Sequence, residues 1–377
     1  MIKIYMNHLP WDVGISTDRS MRMLFKRLSY QYADLEFYYP NDWTSGIIPV
    51  LKHIYKAVKY RLFPSSLKKE FRIKRENLVS RKEFLKQDFD LIYSQAIIPI
   101  GVKKNTPLLL DLFFIDPEHS HTNVTEISKV YWKRLVKDME RVANMSCIIN
   151  LRSDYSLRLV EKYFPENRHK FVNLPFLLPD LKPLSLEYVF KKHTNVSLFK
   201  IAFIGAQAIR KGLPLLVMAI DILYNKRNFR NLELNIVSGC TDGNIYIPSN
   251  LPIICHGKMN YERTMDILKM SHIYVMPSYY ESFGLSYVEA MANGCIVLAR
   301  NFEPQREIVD YGKAGLLVDL NANDIADKLQ QVLEMKEKER KCLVLKGYER
   351  FKEKYEFSVV SKKWYREFAR CASMNKE

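Results

Sequence analysis

The amino-acid sequence predicts an α/β protein built from two doubly wound, Rossmann-like domains that face each other across a cleft. Short apolar runs alternate with helical patterns along the chain, as expected for parallel strands joined by crossover helices. The alternation breaks at a stretch holding Pro175, Pro179 and Pro183 and then restarts. A chain of 377 residues also exceeds one ordinary core and suits two. The expected organisation is a first domain over 1–182, a second over 183–355, and a last helix over 356–377.

In the first half, strands are expected at 2–6, 34–39, 90–98, 107–115 and 146–151. Helices are expected at 17–30, 123–144 and 153–164. Ser153 and Asp154 stand where an N-cap belongs, just ahead of Tyr155. The proline-rich residues 173–185 disfavour helix and read as a linker. The second half restarts with strands at 199–204, 232–237, 252–255, 272–277 and 295–299. Helices are expected at 212–224, at 261–269 and from near Leu285.

Composition narrows the function. No apolar run reaches about 18 residues, so no transmembrane helix is expected. The first residues, Met1 to Asn7, are too short and polar for a signal peptide and read as a strand. The six cysteines form no CxxC pair and no metal-ligand spacing, so buried thiols in a reducing cytoplasm are expected. The net charge of +16 calls for an acidic partner. It is concentrated: residues 51–88 hold twelve Lys and Arg against four acids, half of the excess in about a tenth of the chain. Within that patch Leu51, Ile54, Tyr55, Val58 and Leu62 line one helical face, with Lys52, Lys56 and Lys59 away from it. A helix of this kind can lie in the headgroup region of an anionic leaflet. Peripheral contact of residues 50–86 with an anionic membrane surface is therefore expected. Nucleic acid is not, since no zinc-finger or RNP-like motif accompanies the charge.

Residues 276–300 carry the clearest chemistry. A buried strand ends at Pro277, a loop follows with Glu281 and Gly284, and a helix starts near Leu285. The first N–H groups of a helix lack partners and sit at the positive end of its dipole, which suits a diphosphate. Gly284 would let a ligand approach the backbone. Glu289 lies two turns into the helix, so Glu281 and Glu289 can touch different parts of one extended ligand. Gly294 is placed to end the helix in a left-handed cap. A second element agrees: Gly205 to Gly212 follows a strand and opens a helix with Arg210 and Lys211 adjacent. Two cations at a helix start oppose the dipole unless they face an anion, and a diphosphate would satisfy them.

Together these runs resemble the retaining glycosyltransferases of family 4, with their E-x7-E signature and two-domain GT-B fold. The likeness extends to Glu307-Ile308-Val309, to Gly315-Leu316-Leu317-Val318 and to the Arg210-Lys211-Gly212 element. Ala206 stands where some members carry a further arginine. The resemblance implies that the domain over 1–182 binds the acceptor, that the domain over 183–355 binds the nucleotide sugar, and that the last helix over 356–377 packs back on the first domain. It also implies a nucleoside diphosphate sugar as donor substrate, no separate cofactor, no metal, and retention of configuration. It implies that Glu281 contacts the donor sugar, that Glu289 binds the ribose, and that Phe283, Gly284, Leu285 and Ser286 face the diphosphate and sugar. Gly14 is the nearest equivalent of the family's first glycine-rich loop. The facing catalytic group of the first domain would come from Asp116, Glu118, His119 or His121, with Asp116 and His119 foremost, or from Asp111 inside the strand. The expected activity is sugar transfer to a glycan or lipid-linked saccharide in polysaccharide biosynthesis. The alternatives are a basic nucleic-acid-binding protein and a GT-B sugar phosphorylase or epimerase.

Overall fold

A computed structural model describes residues 1–7, 25–38, 89–95, 107–111, 147–176, 178, 181–239, 245–281 and 283–374. The first sheet contains β1 (Ile2–Asn7), β2 (Leu35–Tyr38), β3 (Leu91–Gln95), β4 (Leu108–Asp111), β5 (Cys147–Asn150) and β6 (Phe171–Val172). Their order is β2-β1-β3-β4-β5-β6, with every pairing parallel. The second sheet contains β7 (Phe199–Ile204), β8 (Leu232–Val237), β9 (Ile253–Cys255), β10 (Ile273–Met276), β11 (Ile296–Arg300) and β12 (Leu316–Val318). Its order is β12-β11-β10-β7-β8-β9, again all parallel. Leu108 to Asp111 and Ile273 to Met276 are buried at every position, as expected for strands covered on both faces.

The helices named here are α1 (Asp154–Tyr163), α2 (Leu186–Lys192), α3 (Leu213–Asp221), α4 (Tyr261–Met270), α5 (Leu285–Ala292), α6 (Gln305–Ile308), α7 (Ala322–Glu334), α8 (Glu337–Lys354) and α9 (Phe357–Ser373). Helical residues 25–31 match the expected helix at 17–30 over its described part. Ser153 caps α1, its side chain accepting from the Ser156 N–H. Three local readings change. The helix expected over 212–224 is α3 followed by a π turn at Ile222–Lys226. The two-residue strand β6 and the seven-residue helix α2, about two turns long, were not legible, because neither repeats its pattern over a long enough run. The helix expected at 123–144 and the basic segment 50–86 lie outside the described residues. No helix among the described residues is long and apolar enough to cross a membrane.

Helix α9 crosses back onto the first sheet. The Trp364 indole N–H donates to the Pro175 carbonyl at 3.0 Å, and the Tyr365 hydroxyl donates to Asp34 at 2.7 Å. Tyr32 stacks on Tyr365 with ring centroids 4.2 Å apart, and Phe25 meets Trp364 edge-on. These rings belong to, or pack against, a large buried cluster that runs from Ile4 to Ala372, beside a second, smaller cluster around Ile92, Leu108 and Leu110 of the first sheet. A polar seam accompanies it. Glu307 of α6 accepts from the backbone N–H groups of Asp154 and Tyr155, and Arg158 reaches Glu303 at 3.1 Å.

Candidate active site

In the second sheet β7 is flanked by β8 on one side and by β10 on the other, so the direction in which successive strands are added reverses between β7 and β10. The loops leaving the carboxyl ends of these two strands diverge there, and such a switch point is where doubly wound sheets open a crevice for ligands. The loop after β7 carries Arg210 and Lys211. The loop after β10 carries Ser278 and Glu281. Residues about 70 apart in sequence thus meet: Glu281 Oε1 lies 3.2 Å from Arg210 Nη1 and 3.2 Å from Lys211 Nζ. The Ser278 hydroxyl donates to the same oxygen at 3.2 Å.

Two glycines permit this approach. Gly212 has φ 81°, and a Cβ there would stand 2.2 Å from the Pro277 carbonyl oxygen. The two loops therefore pack backbone to backbone. Gly205 leaves the track along which the Lys211 stem runs, since a Cβ there would meet Lys211 Cδ at 2.1 Å. The loop backbone is held by arginines: Arg210 donates to Tyr280 O, and Arg300 donates to Tyr279 O. Gln207 in turn holds Arg210 Nε. The Tyr279 N–H returns to Arg210 O at 2.9 Å, and Gln305 donates to Ser278 O at 3.1 Å.

Helix α5 opens beside this cluster. Its N-cap is Gly284 at φ 94°, with no side-chain hydrogen bond to the first turn, so the opening N–H groups keep their anion-binding capacity. A Cβ on Gly284 would meet the Tyr287 ring at 2.5 Å. Phe283 is buried and packs on Phe176 of the linker and on Tyr355, with ring centroids 5.6 and 5.8 Å away. Ser286 is buried, its hydroxyl towards Met276 Sδ, while Leu285 is partly buried. Gly294, at φ 64°, ends the helix in the left-handed conformation.

Glu289 is buried on α5, and burial pushes its carboxyl up to about 7. A Tyr261 hydrogen bond and the Lys211 charge pull the other way without cancelling this. Lys211 therefore stands between two carboxylates, touching Glu281 and felt by Glu289. An ionisable group titrating near neutrality beside a cation cluster at a switch point marks Glu289 as a candidate site residue.

The structure brings Arg210, Lys211, Phe283, Gly284, Leu285, Ser286, Glu281 and Glu289 to one region of the second domain. Gly14, Asp116 and His119, with Glu118 and His121, lie outside the described residues. Asp111 does not serve as a group facing the cleft. It is fully buried, ion-paired with Arg152, and accepts from the Tyr93 hydroxyl at 2.6 Å and Asn150 Nδ2 at 3.1 Å. Asn150 also holds the linker through both backbone groups of Leu174. This network ties the ends of β3, β4 and β5 to the linker, and the buried carboxylate is tolerated because both of its oxygens accept hydrogen bonds and a guanidinium pairs with it. Ser278, Arg300, Gln207 and Tyr261 were not singled out from sequence. Ser278 alone had a visible signal, its place directly after the strand-ending Pro277.

Comparison with known proteins fits this geometry. The fold is GT-B: a sucrose-phosphate synthase from Thermosynechococcus elongatus superposes with a TM-score of 0.70 at 16% identity, covering 98% of this chain and 99% of that one. Residues 187–349, within the second domain, match the family Glycosyl transferases group 1. A D-inositol 3-phosphate glycosyltransferase of Paenarthrobacter aurescens (strain TC1) is 31% identical over 149 residues, 36% of this chain and 35% of that protein. An N,N'-diacetylbacillosaminyl-diphospho-undecaprenol alpha-1,3-N-acetylgalactosaminyltransferase of Campylobacter jejuni is 27% identical over 169 residues, 43% of each. The similarity thus spans about a third to two fifths of these relatives' own length.

Proposed function

We propose that this chain is a retaining glycosyltransferase that moves a sugar from a nucleoside diphosphate sugar to a glycan or lipid-linked saccharide at a membrane surface. The observation that carries this is the meeting of Arg210, Lys211 and Glu281 at the β7/β10 switch point, next to the uncapped start of α5. Cations and free N–H groups there suit a diphosphate. Glu289, two turns further on and partly protonated near neutrality, suits a ribose hydroxyl.

In the reaction, the bond from the anomeric carbon to the diphosphate oxygen breaks and the acceptor oxygen takes its place. Negative charge builds on the departing diphosphate. Arg210, Lys211 and the α5 N-terminus oppose that charge from fixed positions, which lowers the barrier without a metal step. Gly284 lets the backbone approach the phosphates, and Glu281 orients the sugar. Asp116 and His119 are the candidates to meet the acceptor from the first domain.

The acceptor reading draws on the basic segment 50–86 and on the name of the Campylobacter jejuni relative, which gives N,N'-diacetylbacillosaminyl-diphospho-undecaprenol, a lipid-linked saccharide. The donor site is tested by thermal shift with a panel of nucleotide sugars on wild type, Glu289→Ala and Arg210→Ala. A ligand that binds only the folded state raises the midpoint by mass action. One nucleotide sugar should stabilise the wild type alone. Stabilisation of all three proteins to the same extent, or of none, would remove the assignment. Flotation with phosphatidylserine and phosphatidylcholine vesicles tests the membrane component, which requires binding to the anionic vesicles only.

A further inference from the structure

We infer that Glu281 makes the site discriminate against the spent nucleoside diphosphate in favour of the intact donor, by competing with the terminal phosphate for Arg210 and Lys211. This rests on the donor-site reading above.

The geometry is specific. One carboxylate oxygen of Glu281 holds both cations at 3.2 Å, and the Ser278 hydroxyl donates to it as well. These ion pairs are largely shielded, with side chains 11% exposed for Glu281, 15% for Lys211 and 22% for Arg210. Shielding strengthens such pairs relative to those on an open surface. A phosphate that takes the two cations must displace this carboxylate or sit beside it, anion against anion.

The two forms of the nucleotide differ in what they return. The intact donor brings sugar hydroxyls, which can donate to the displaced carboxylate and keep it satisfied. The spent diphosphate brings a more highly charged terminal phosphate and no hydroxyl at that place. It therefore leaves Glu281 without its two cations and repelled, with the Ser278 hydroxyl still able to donate to it. Specificity of this kind is a difference between two binding free energies, and the repulsive element acts on one ligand only.

The surrounding contacts let the carboxylate swing without moving the loop. Arg210 keeps its bonds to Tyr280 O and to Gln207, and Arg300 keeps Tyr279 O, whichever way the Glu281 side chain points. The backbone of the site is thus held independently of its acid. After transfer the carboxylate recovers both cations as the diphosphate leaves, which favours release, a step that often limits turnover.

The test is calorimetric titration of wild type and Glu281→Gln with UDP, GDP and ADP, and with UDP-glucose, GDP-glucose and ADP-glucose. Glutamine keeps the shape and the Ser278 contact but removes the charge. Whichever nucleoside diphosphate the wild type binds, Glu281→Gln should bind at least about fivefold more tightly. The preference for the sugar-bearing form should shrink, and Glu281→Ser should show the same gain. A misfolded variant cannot gain affinity, so an increase is unambiguous. Equal or weaker diphosphate binding by both folded variants, with wild type binding intact, overturns this inference and leaves the donor site standing. If wild type binds none of the six nucleotides, the donor site itself falls, and this inference with it.

Discussion

The carboxylate of Glu307, in the second domain, accepts the backbone N–H of Tyr155 at 3.0 Å, in the first turn of a helix that belongs to the first domain. It also takes the Asp154 N–H at 3.1 Å. One acid from α6 thus satisfies two of the four free donors of α1 and joins the domains at a helix dipole's positive end. Glu307→Ala leaves both donors unmet. It should lower stability by roughly 1–2 kcal/mol, the cost of losing a good cap, read as a lower urea midpoint. An unchanged midpoint would mean that water replaces the acid without loss.

Glu289 should cost the free protein stability above neutral pH. Its folded value, about 7, is above the ordinary 4.5, so the folded state binds more protons between those limits. Stability then falls as pH rises from about 4.5 to 7. Glu289→Gln keeps an acceptor for Tyr261 and removes the charge, so it should stabilise the empty protein at pH 8 by up to about 3 kcal/mol. At pH 4 the gain should vanish. Melting curves of both proteins at the two pH values check this, and an equal gain at both would refute it. The same variant should lose the donor-dependent thermal shift, so that stability and binding move in opposite directions.

Two histidines, His193 buried and His272 partly buried, set an acid limit. Burial pushes His193 down to about 3 and His272 down to about 4, with the Lys192 charge acting in the same direction on each. The folded state therefore stays neutral where the unfolded chain takes up protons. Their contribution is full above about pH 6.5 and is lost as pH falls towards 4 and 3. His272 accepts the Lys200 N–H through Nδ1 at 3.0 Å, a bond that asparagine can copy. In His272→Asn the fall in melting temperature between pH 7 and 5 should be shallower than in wild type. An identical slope would place the acid sensitivity elsewhere.

Gly212 and Gly257 separate two costs of adding a methyl group. Both have positive φ, 81° and 68°. At Gly257 a Cβ meets nothing within 4 Å, whereas at Gly212 it meets the Pro277 carbonyl oxygen at 2.2 Å. Gly257→Ala should cost only the left-handed backbone, about 1 kcal/mol. Gly212→Ala should cost clearly more, and it should also weaken donor binding by pushing the Arg210-Lys211 loop from the Glu281 loop. Equal losses in chemical denaturation would refute the close-packing argument.

Much of this site was legible before the fold. Glu281, Gly284 and Glu289 stand out because a strand end, a glycine and an amphipathic helix follow one another within 25 residues. Arg210 and Lys211 stand out because cations at a helix start are electrostatically wrong without an anion. Glu307 was visible as part of a motif, but its partners Asp154 and Tyr155 lie about 150 residues away. Asp111 looked like a candidate acid because its burial partners, Tyr93, Asn150 and Arg152, come from two other segments.

The sequence by itself determined the local elements: the strands from their apolar runs, α1 from Ser153, the end of α5 from Gly294. These depend on residues within one or two turns, where periodicity and capping act. Only the tertiary structure decided that β7 and β10 are neighbours, with Ile201 opposite Ile273. That pairing brings Glu281 to Arg210 and Lys211, while packing around α5 buries Glu289 deeply enough to raise its carboxyl to about 7. In the first sheet the neighbouring β3, β4 and β5 enclose Asp111 with Tyr93, Asn150 and Arg152. The physical reason is range. A cap or a period is set by neighbours along the chain, whereas desolvation and ion pairing are set by whatever the packed sheets and loops place within a few ångströms.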